Sequence, residues 1–250
     1  MADTPLAAAV VGVGRMGRHH ARIYRELSES RLVAVVDPDP ERREAAVSDL
    51  GCHAYPDLES LLESESRLDA VSIATPTVHH APAALRLLDR GVACLVEKPL
   101  AASSEDAALI ARTAAEKGVI CQVGHTERFN PAVRAVADLG LRPRFIEVDR
   151  VAPMSFRSVD VGVVFDLMIH DLDIVLMMCG SPLQDVRAVG VSVLGEHEDV
   201  ANARLLFEDG CVANLTVSRL AMKTERKLRV FSDCLLYTSD AADEEDSVDL

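Results

Sequence analysis

Apolar and polar positions divide the chain into two textures. In the first half, short and mostly apolar runs at 6–13, 32–37, 52–55, 70–74, 92–96 and 119–123 are separated by longer stretches with helical spacing. Runs of this length without strict alternation read as strands covered on both faces, the condition of a parallel sheet. Helices are expected between them at 40–50, 81–90 and 104–117, the last with Ser103 or Ser104 as N-cap and Gly118 at its end. Six strands joined by short crossovers make a doubly wound parallel α/β sheet, whose functional loops lie at the carboxyl ends of its strands.

Beyond Gly124 the order changes. A helix is expected over 131–139, a strand over 144–151, a helix over 165–178, and then strands over 186–194, 201–207, 211–218 and 227–231 with a hairpin turn at 208–210. Strands that follow one another without helices imply an α+β domain with a mainly antiparallel, open sheet. The chain therefore reads as a dinucleotide-binding domain at 1–124, a substrate and oligomerisation domain at 125–232, and a tail at 233–250.

The first strand runs directly into VGVGRMG and a helix, which is the arrangement that binds the pyrophosphate of a dinucleotide. Gly12 permits the tight turn, Gly14 lets the backbone approach the phosphates, and Gly17 lets helix and strand pack closely. Arg15 and Met16 lie between these glycines, where free helix N–H groups face the anion. Asp37 ends the second strand, twenty positions beyond Gly17, where an acidic residue holds the adenosine ribose. A 2′-phosphate facing that carboxylate meets a repulsion of ~4 kcal/mol per unit charge, taking 4 Å and a dielectric of 20. NAD is thus favoured over NADP, with Arg42 and Arg43 read as a solvated helix face that an alternative reading would turn against this preference.

Composition narrows the classes. The 250 residues are 49% hydrophobic, enough for a large core and two domains, and the net charge of −14 argues against nucleic acid. Six cysteines lie scattered with no CxxC pair, which indicates neither a zinc site nor a disulfide framework and fits a cytoplasmic location. No apolar run has transmembrane length, and MADTPLAAAVVGVG leads into the first strand without a basic-then-apolar leader, so no membrane partner is expected. Half of the net charge sits in 233–250, where seven acids stand without Lys or Arg. CLLYTSDAADEEDSVDL has neither strand nor helix period. It reads either as a solvated acidic tail or, as preferred here, as translated sequencing-adapter read-through, which implies a native chain that continues further.

Three strand-end and helix motifs join the glycine turn: ATPTVHH after the fourth strand, EKP at Glu97, Lys98 and Pro99 after the fifth, and DLMIHDLD in the second domain. Over residues 1 to about 232 the combination resembles the Gfo/Idh/MocA family of oxidoreductases, whose members continue the second sheet further than this chain does. The resemblance implies a Rossmann domain followed by an open-sheet domain, incomplete here, and NAD as cofactor. It makes Lys98 the catalytic lysine beside the nicotinamide, with Glu97 orienting or tuning it. Independent chemistry agrees, because a cationic nicotinamide disfavours a second positive charge and so helps Lys98 accept a proton. Thr75, Pro76 and His80 match the family's loop near the nicotinamide ribose, while His79, His19 and His20 need no role beyond packing or solvation.

Helical spacing puts Asp166, His170 and Asp173 on one face. The resemblance assigns that face to the substrate cavity, with His170 assisting proton transfer and Asp166 contacting sugar hydroxyls; no metal is implied. Asp171 points elsewhere, to solvent or a salt-bridge partner. Arg128, in GHTERFNP, suits an anionic substrate group or an interdomain salt bridge equally well. The variants GHTERFNP and FDLMIHDLD are similar to the family branch that oxidises the 3-hydroxyl of UDP-N-acetylglucosamine to a 3-keto sugar, a product an aminotransferase then converts. Inositol dehydrogenation, NAD-dependent glycosidase chemistry and an idle NAD-binding sensor are the alternatives. The intact Lys98, Asp166 and His170 argue against the sensor. Family members commonly self-associate through the open sheet, so a homo-oligomer is expected.

Overall fold

The computed structural model describes residues 4–154 and 161–233, together with the backbone of 235–240. The chain separates into two compact units, Met1–Gly124 and His125–Leu250.

The first unit is built on six strands: β1 (Leu6–Val11), β2 (Ser30–Val36), β3 (His53–Tyr55), β4 (Ala70–Ile73), β5 (Ala93–Val96) and β6 (Cys121–Val123). Their order is β3-β2-β1-β4-β5-β6 and every pairing is parallel. This is the doubly wound order in which the direction of winding reverses between β1 and β4. Helices α1 (Arg15–Glu26), α2 (Pro40–Leu50), α3 (Leu58–Ser64), α4 (His80–Asp89) and α5 (Ser104–Lys117) make the crossovers. One core cluster joins Ala7, Ala9, Val71, Ile73, Leu87, Leu88 and Ile110, and a second joins Val10, Val35 and Ala21. Successive β1 residues thus feed opposite faces, which is why LAAAVV shows no alternation.

Local capping sets the helix ends. The Asp39 carboxylate accepts from the Glu41 N–H ahead of Pro40, and Gly51 closes α2 at φ 66°. Ser103 is the N-cap of α5, accepting from the Asp106 N–H. The sequence pattern had not marked α3, whose seven residues are capped by Asp57 and bury Leu61 and Leu62.

The second unit contains α6 (Pro131–Ala137), β7 (Pro143–Val151), a π-helical turn at Val164–Met168 that runs into α7 (Ile169–Cys179), and strands β8 (Leu183–Val191), β9 (Val200–Phe207), β10 (Val212–Ser218), β11 (Glu225–Ser232) and β12 (Leu235–Asp240). The sheet order is β12-β11-β7-β10-β9-β8, with β7 and β10 parallel and all other pairings antiparallel. Ala201, Ala203, Leu205, Phe207, Leu215 and Val217 form one buried face with Val136, Met168 and Val175 from the helices. The turn between β9 and β10 is closed by Phe207 and Cys211, with Gly210 at φ 86°.

Three expectations are corrected, the first being the strand expected over 186–194, which runs from Leu183 to Val191. The helix expected from Phe165 begins as a π turn, where the Glu198 carboxylate accepts from the Val164 N–H and its bulk leaves no room for a Cβ on Gly162. Leu235–Asp240, expected to lie outside any strand, forms β12 in register with β11. The β-prone sequence LLYTSD suffices to extend an open edge, and the acids concentrate after it. The rest of the expected tail, 241–250, lies outside the described residues.

Candidate active site

In the first unit the glycine turn sits at the winding reversal. Gly12 adopts φ +87°, and a Cβ there would stand 2.8 Å from the Ala74 carbonyl oxygen and 2.9 Å from the Thr75 nitrogen at the end of β4. A Cβ on Gly17 would collide with the Gly12 carbonyl oxygen. Beyond its chain neighbours, Gly14 has no atom of the described residues within 4 Å of its Cβ position. The three glycines therefore divide their tasks into turn, open approach and close packing. Helix α1 has no side-chain cap on its first turn and no acidic residue there. Its N–H groups are left for an anion.

Asp37 is 3% exposed. Its carboxylate accepts from the Val13 N–H at 2.9 Å and from the Asp39 N–H at 3.0 Å, so it also ties the glycine turn to the end of β2. Arg42 and Arg43 are not a plain solvated face. Arg42 lies 3.7 Å from the Asp37 carboxylate and 3.4 Å from Asp39, and Arg43 donates to the carbonyl oxygens of Asp37 and Pro38. A pocket of about 390 Å³ beside the turn is lined by Val13, Gly14, Arg15, Arg18, His19 and Arg42. Met16 is exposed on α1. Open space above Gly14, unclaimed N–H groups and a buried acid at the end of β2 fit a dinucleotide, with the pyrophosphate at Gly14 and the ribose at Asp37.

The strand-end loops of β4 and β5 are joined from inside. His80 is 1% exposed, and its ring nitrogens lie 2.8 Å from the Pro99 carbonyl oxygen and 2.9 Å from that of Thr75. This corrects the expectation that His80 meets the cofactor: burial and two backbone partners make it the residue that shapes the loop. The Thr75 hydroxyl oxygen is buried with no hydrogen-bond partner among the described residues, and Pro76 is exposed. The Lys98–Pro99 bond is cis and the Lys98 side chain is half-buried.

Glu97 is buried, and one carboxylate oxygen accepts from His20 Nε2 at 2.8 Å. The other accepts from the Lys98 N–H at 3.3 Å. Burial pushes the Glu97 carboxyl up, but the hydrogen bond and attraction of His20, with the N–H and charge of Lys98, outweigh it and leave it below the usual carboxylate value. Sequence spacing does not reveal this role of His20, because its partner lies 77 residues away.

In the second unit, Asp166 occupies the π turn and His170 the first turn of α7, both half-buried. Asp173 is buried and held by Arg128 through two hydrogen bonds of 2.6 Å, with His125 Nε2 at 3.9 Å. Arg128 was expected to meet a substrate anion or to bridge the domains; its fork instead closes on a carboxylate of its own unit. Asp173 likewise serves Arg128 rather than standing open on the face shared with Asp166. Asp171 is 2% exposed, which excludes the solvent reading and leaves the salt bridge, with Arg150 Nη2 at 2.8 Å. Burial raises its carboxyl while the Arg150 guanidinium draws it back. Glu127 extends this network to Arg150 and Arg226. No group of three potential metal-ligating side chains occurs among the described residues, nor does any helix long and apolar enough to cross a membrane.

Residues 6–125 match the oxidoreductase family with an NAD-binding Rossmann fold, and 145–233 match the GFO/IDH/MocA C-terminal domain. The chain belongs to the Gfo/Idh/MocA family of oxidoreductases and carries its NAD-binding domain. It is 39% identical over 227 residues to UDP-N-acetylglucosamine 3-dehydrogenase from Acidithiobacillus ferrooxidans, covering 90% of this chain and 71% of that one. The crystal structure of that enzyme superposes with a TM-score of 0.88 at 37% identity, covering 95% of this chain and 77% of the other. scyllo-Inositol 2-dehydrogenase (NAD(+)) from Bacillus subtilis is 30% identical, covering 84% of this chain and 66% of its own length. GenD2 from gentamicin A biosynthesis, solved in complex with NAD, is 26% identical with a TM-score of 0.86, covering 94% of this chain and 72% of that one.

Proposed function

We propose that this protein is an NAD-dependent sugar dehydrogenase that oxidises the 3-hydroxyl of UDP-N-acetylglucosamine to a 3-keto sugar. The observation that carries the substrate is the 39% identity to a UDP-N-acetylglucosamine 3-dehydrogenase across 90% of the chain. Bound NAD supplies the hydride acceptor. Gly12, Gly14, Arg15, Met16 and Gly17 receive its pyrophosphate, Asp37 its ribose, and Thr75 and Pro76 border the nicotinamide end. Lys98 takes the proton from the sugar hydroxyl, its charge attracted by the Glu97 carboxylate that its backbone N–H meets. Asp166 and His170 bind sugar hydroxyls, and His170 assists the proton's departure. Asp173 and Arg128 stiffen the element that carries these two.

A 3-keto product suits a following aminotransferase, which condenses an amine at the new carbonyl. Exposed valines 186, 189 and 191 along β8 support self-association through this sheet. The inositol reading rests on the 30% identity to the scyllo-inositol enzyme. Following NADH absorbance with UDP-N-acetylglucosamine, free N-acetylglucosamine and scyllo-inositol separates the two. Turnover confined to the nucleotide sugar supports the proposal, because the remote diphosphate contributes binding that orients the reacting carbon. Equal or greater turnover of inositol replaces it.

A further inference from the structure

Four side chains in the first unit make a continuous hydrogen-bonded line that ends on the EKP motif. Tyr24 OH lies 2.7 Å from Ser72 Oγ, Ser72 Oγ lies 3.0 Å from His20 Nδ1, and His20 Nε2 lies 2.8 Å from Glu97 Oε1. His20 and Tyr24 stand one turn apart on α1, Ser72 is in β4, and Glu97 follows β5. Ser72 is fully buried, and the side chains of His20 and Glu97 are each 11% exposed. Polar groups withdrawn from water to this degree persist only when each is satisfied.

The chemistry of the line has a direction. An ionised carboxylate only accepts, so His20 Nε2 carries a proton and donates it to Glu97. With Nδ1 then accepting from Ser72, and Ser72 from Tyr24, every group in the line is used once. The second oxygen of Glu97 receives the N–H of Lys98. Space for this carboxylate is made by Gly124, whose absent Cβ would stand 3.2 Å from three atoms of the carboxylate group. An alanine there would press on the carboxylate, and a carboxylate free to rotate would lose its hold on the Lys98 N–H.

We propose that His20 is a positioning residue for the reaction: it fixes the rotamer of Glu97, and through Glu97 the backbone and amine of Lys98. The inference rests on the reading of Lys98 as the proton acceptor, and it adds a helix residue outside the motifs that mark the family. Ser72 and Tyr24 hold the imidazole in the tautomer that this task needs.

The test compares His20→Leu, His20→Gln and Lys98→Met in the whole chain. Turnover of UDP-N-acetylglucosamine is measured with NADH affinity by fluorescence, melting temperature, and the nitrogen NMR of the imidazole in the parent protein. The expected result is a protonated Nε2 in the parent, and a kcat for His20→Leu lower by about tenfold to a hundredfold, the usual size of an outer-shell loss. NADH affinity and melting temperature should change little, and His20→Gln, whose amide still donates toward Glu97, should recover most of the rate. Full kcat in His20→Leu beside an inactive Lys98→Met overturns the positioning role and leaves the lysine assignment standing. Full kcat in Lys98→Met overturns both. A parallel fall of melting temperature, NADH affinity and rate that glutamine does not rescue, or an unprotonated Nε2, shows a purely structural histidine and also overturns the proposal.

Discussion

Arg128 and Asp173 meet fork to fork, through two hydrogen bonds of 2.6 Å, across 45 residues of sequence. The carboxylate is buried and the guanidinium half-exposed, so the pair fastens the short helical turn Thr126–Phe129 to α7. Arg128→Ala should destabilise the protein by about 1–2 kcal/mol, the cost of an unpaired buried acceptor tempered by solvent at the exposed partner. Thermal melting checks this. An unchanged melting temperature with weakened nucleotide-sugar binding alone would return Arg128 to the role of an anion contact.

The glycines of the turn predict opposite phenotypes for one added methyl. Beyond its chain neighbours, Gly14→Ala meets no atom of the described residues within 4 Å and keeps a negative φ, so the fold should melt as before while NADH affinity falls. Gly17→Ala drives its Cβ into the Gly12 carbonyl and should lose both stability and binding. Melting curves and NADH fluorescence titration on the two variants distinguish a space kept for a ligand from a space kept for packing.

Cofactor preference should turn on Asp37 and its neighbour. Asp37→Ser removes the charge that opposes a 2′-phosphate and loosens the Val13 N–H, so NAD affinity should fall while the NADP to NAD ratio of kcat/KM rises. Arg42, 3.7 Å from that carboxylate, is placed to assist NADP once Asp37 is gone, and adding Arg42→Ala should lower the ratio again. A parent protein that already prefers NADP would contradict the assignment.

Much of the first unit was legible because its signals are local. Helices α2 and α5 were read with the observed bounds, since Asp39–Pro40, Ser103, Gly51 and Gly118 are punctuation within the elements themselves. Strand β8 was displaced by three residues toward its C-terminus, because its exposed valines give no burial pattern to set the register. The site was less legible wherever burial decides function. His80 carries the residue type of a ligand contact yet is sealed between two carbonyls, while Asp37 adds to its ribose position a structural task the motif does not announce, accepting two backbone N–H groups. His20 and Glu198 act on partners 77 and 34 residues distant, which no spacing rule reaches. The π turn at Val164–Met168 also alters the simple helical face on which Asp166, His170 and Asp173 were grouped.

Acid stability should depend on Asp199. The carboxylate is fully buried, accepts from the N–H groups of Val193 and Leu194 at 2.7 Å and from Arg219 at 2.6 Å, and is held at a pKa of about 2 by these bonds against an ordinary 3.8. The sign follows from the depressed value: the contribution is complete above 3.8 and is lost as pH falls from there toward about 2. Asp199→Asn should therefore melt below the parent at neutral pH, with the gap closing across that window. A gap that is constant down to the lowest pH would show that the charge is not what stabilises the loop.

The central claim, that this chain moves a hydride to NAD with Lys98 as the proton acceptor, is tested most directly by Lys98→Met with UDP-N-acetylglucosamine. The account predicts that NADH affinity stays within about twofold of the parent, the backbone and glycine turn being untouched, while kcat falls by roughly 10² to 10⁴, the worth of a general base. A variant that binds NADH and oxidises the sugar at the parent rate would contradict it.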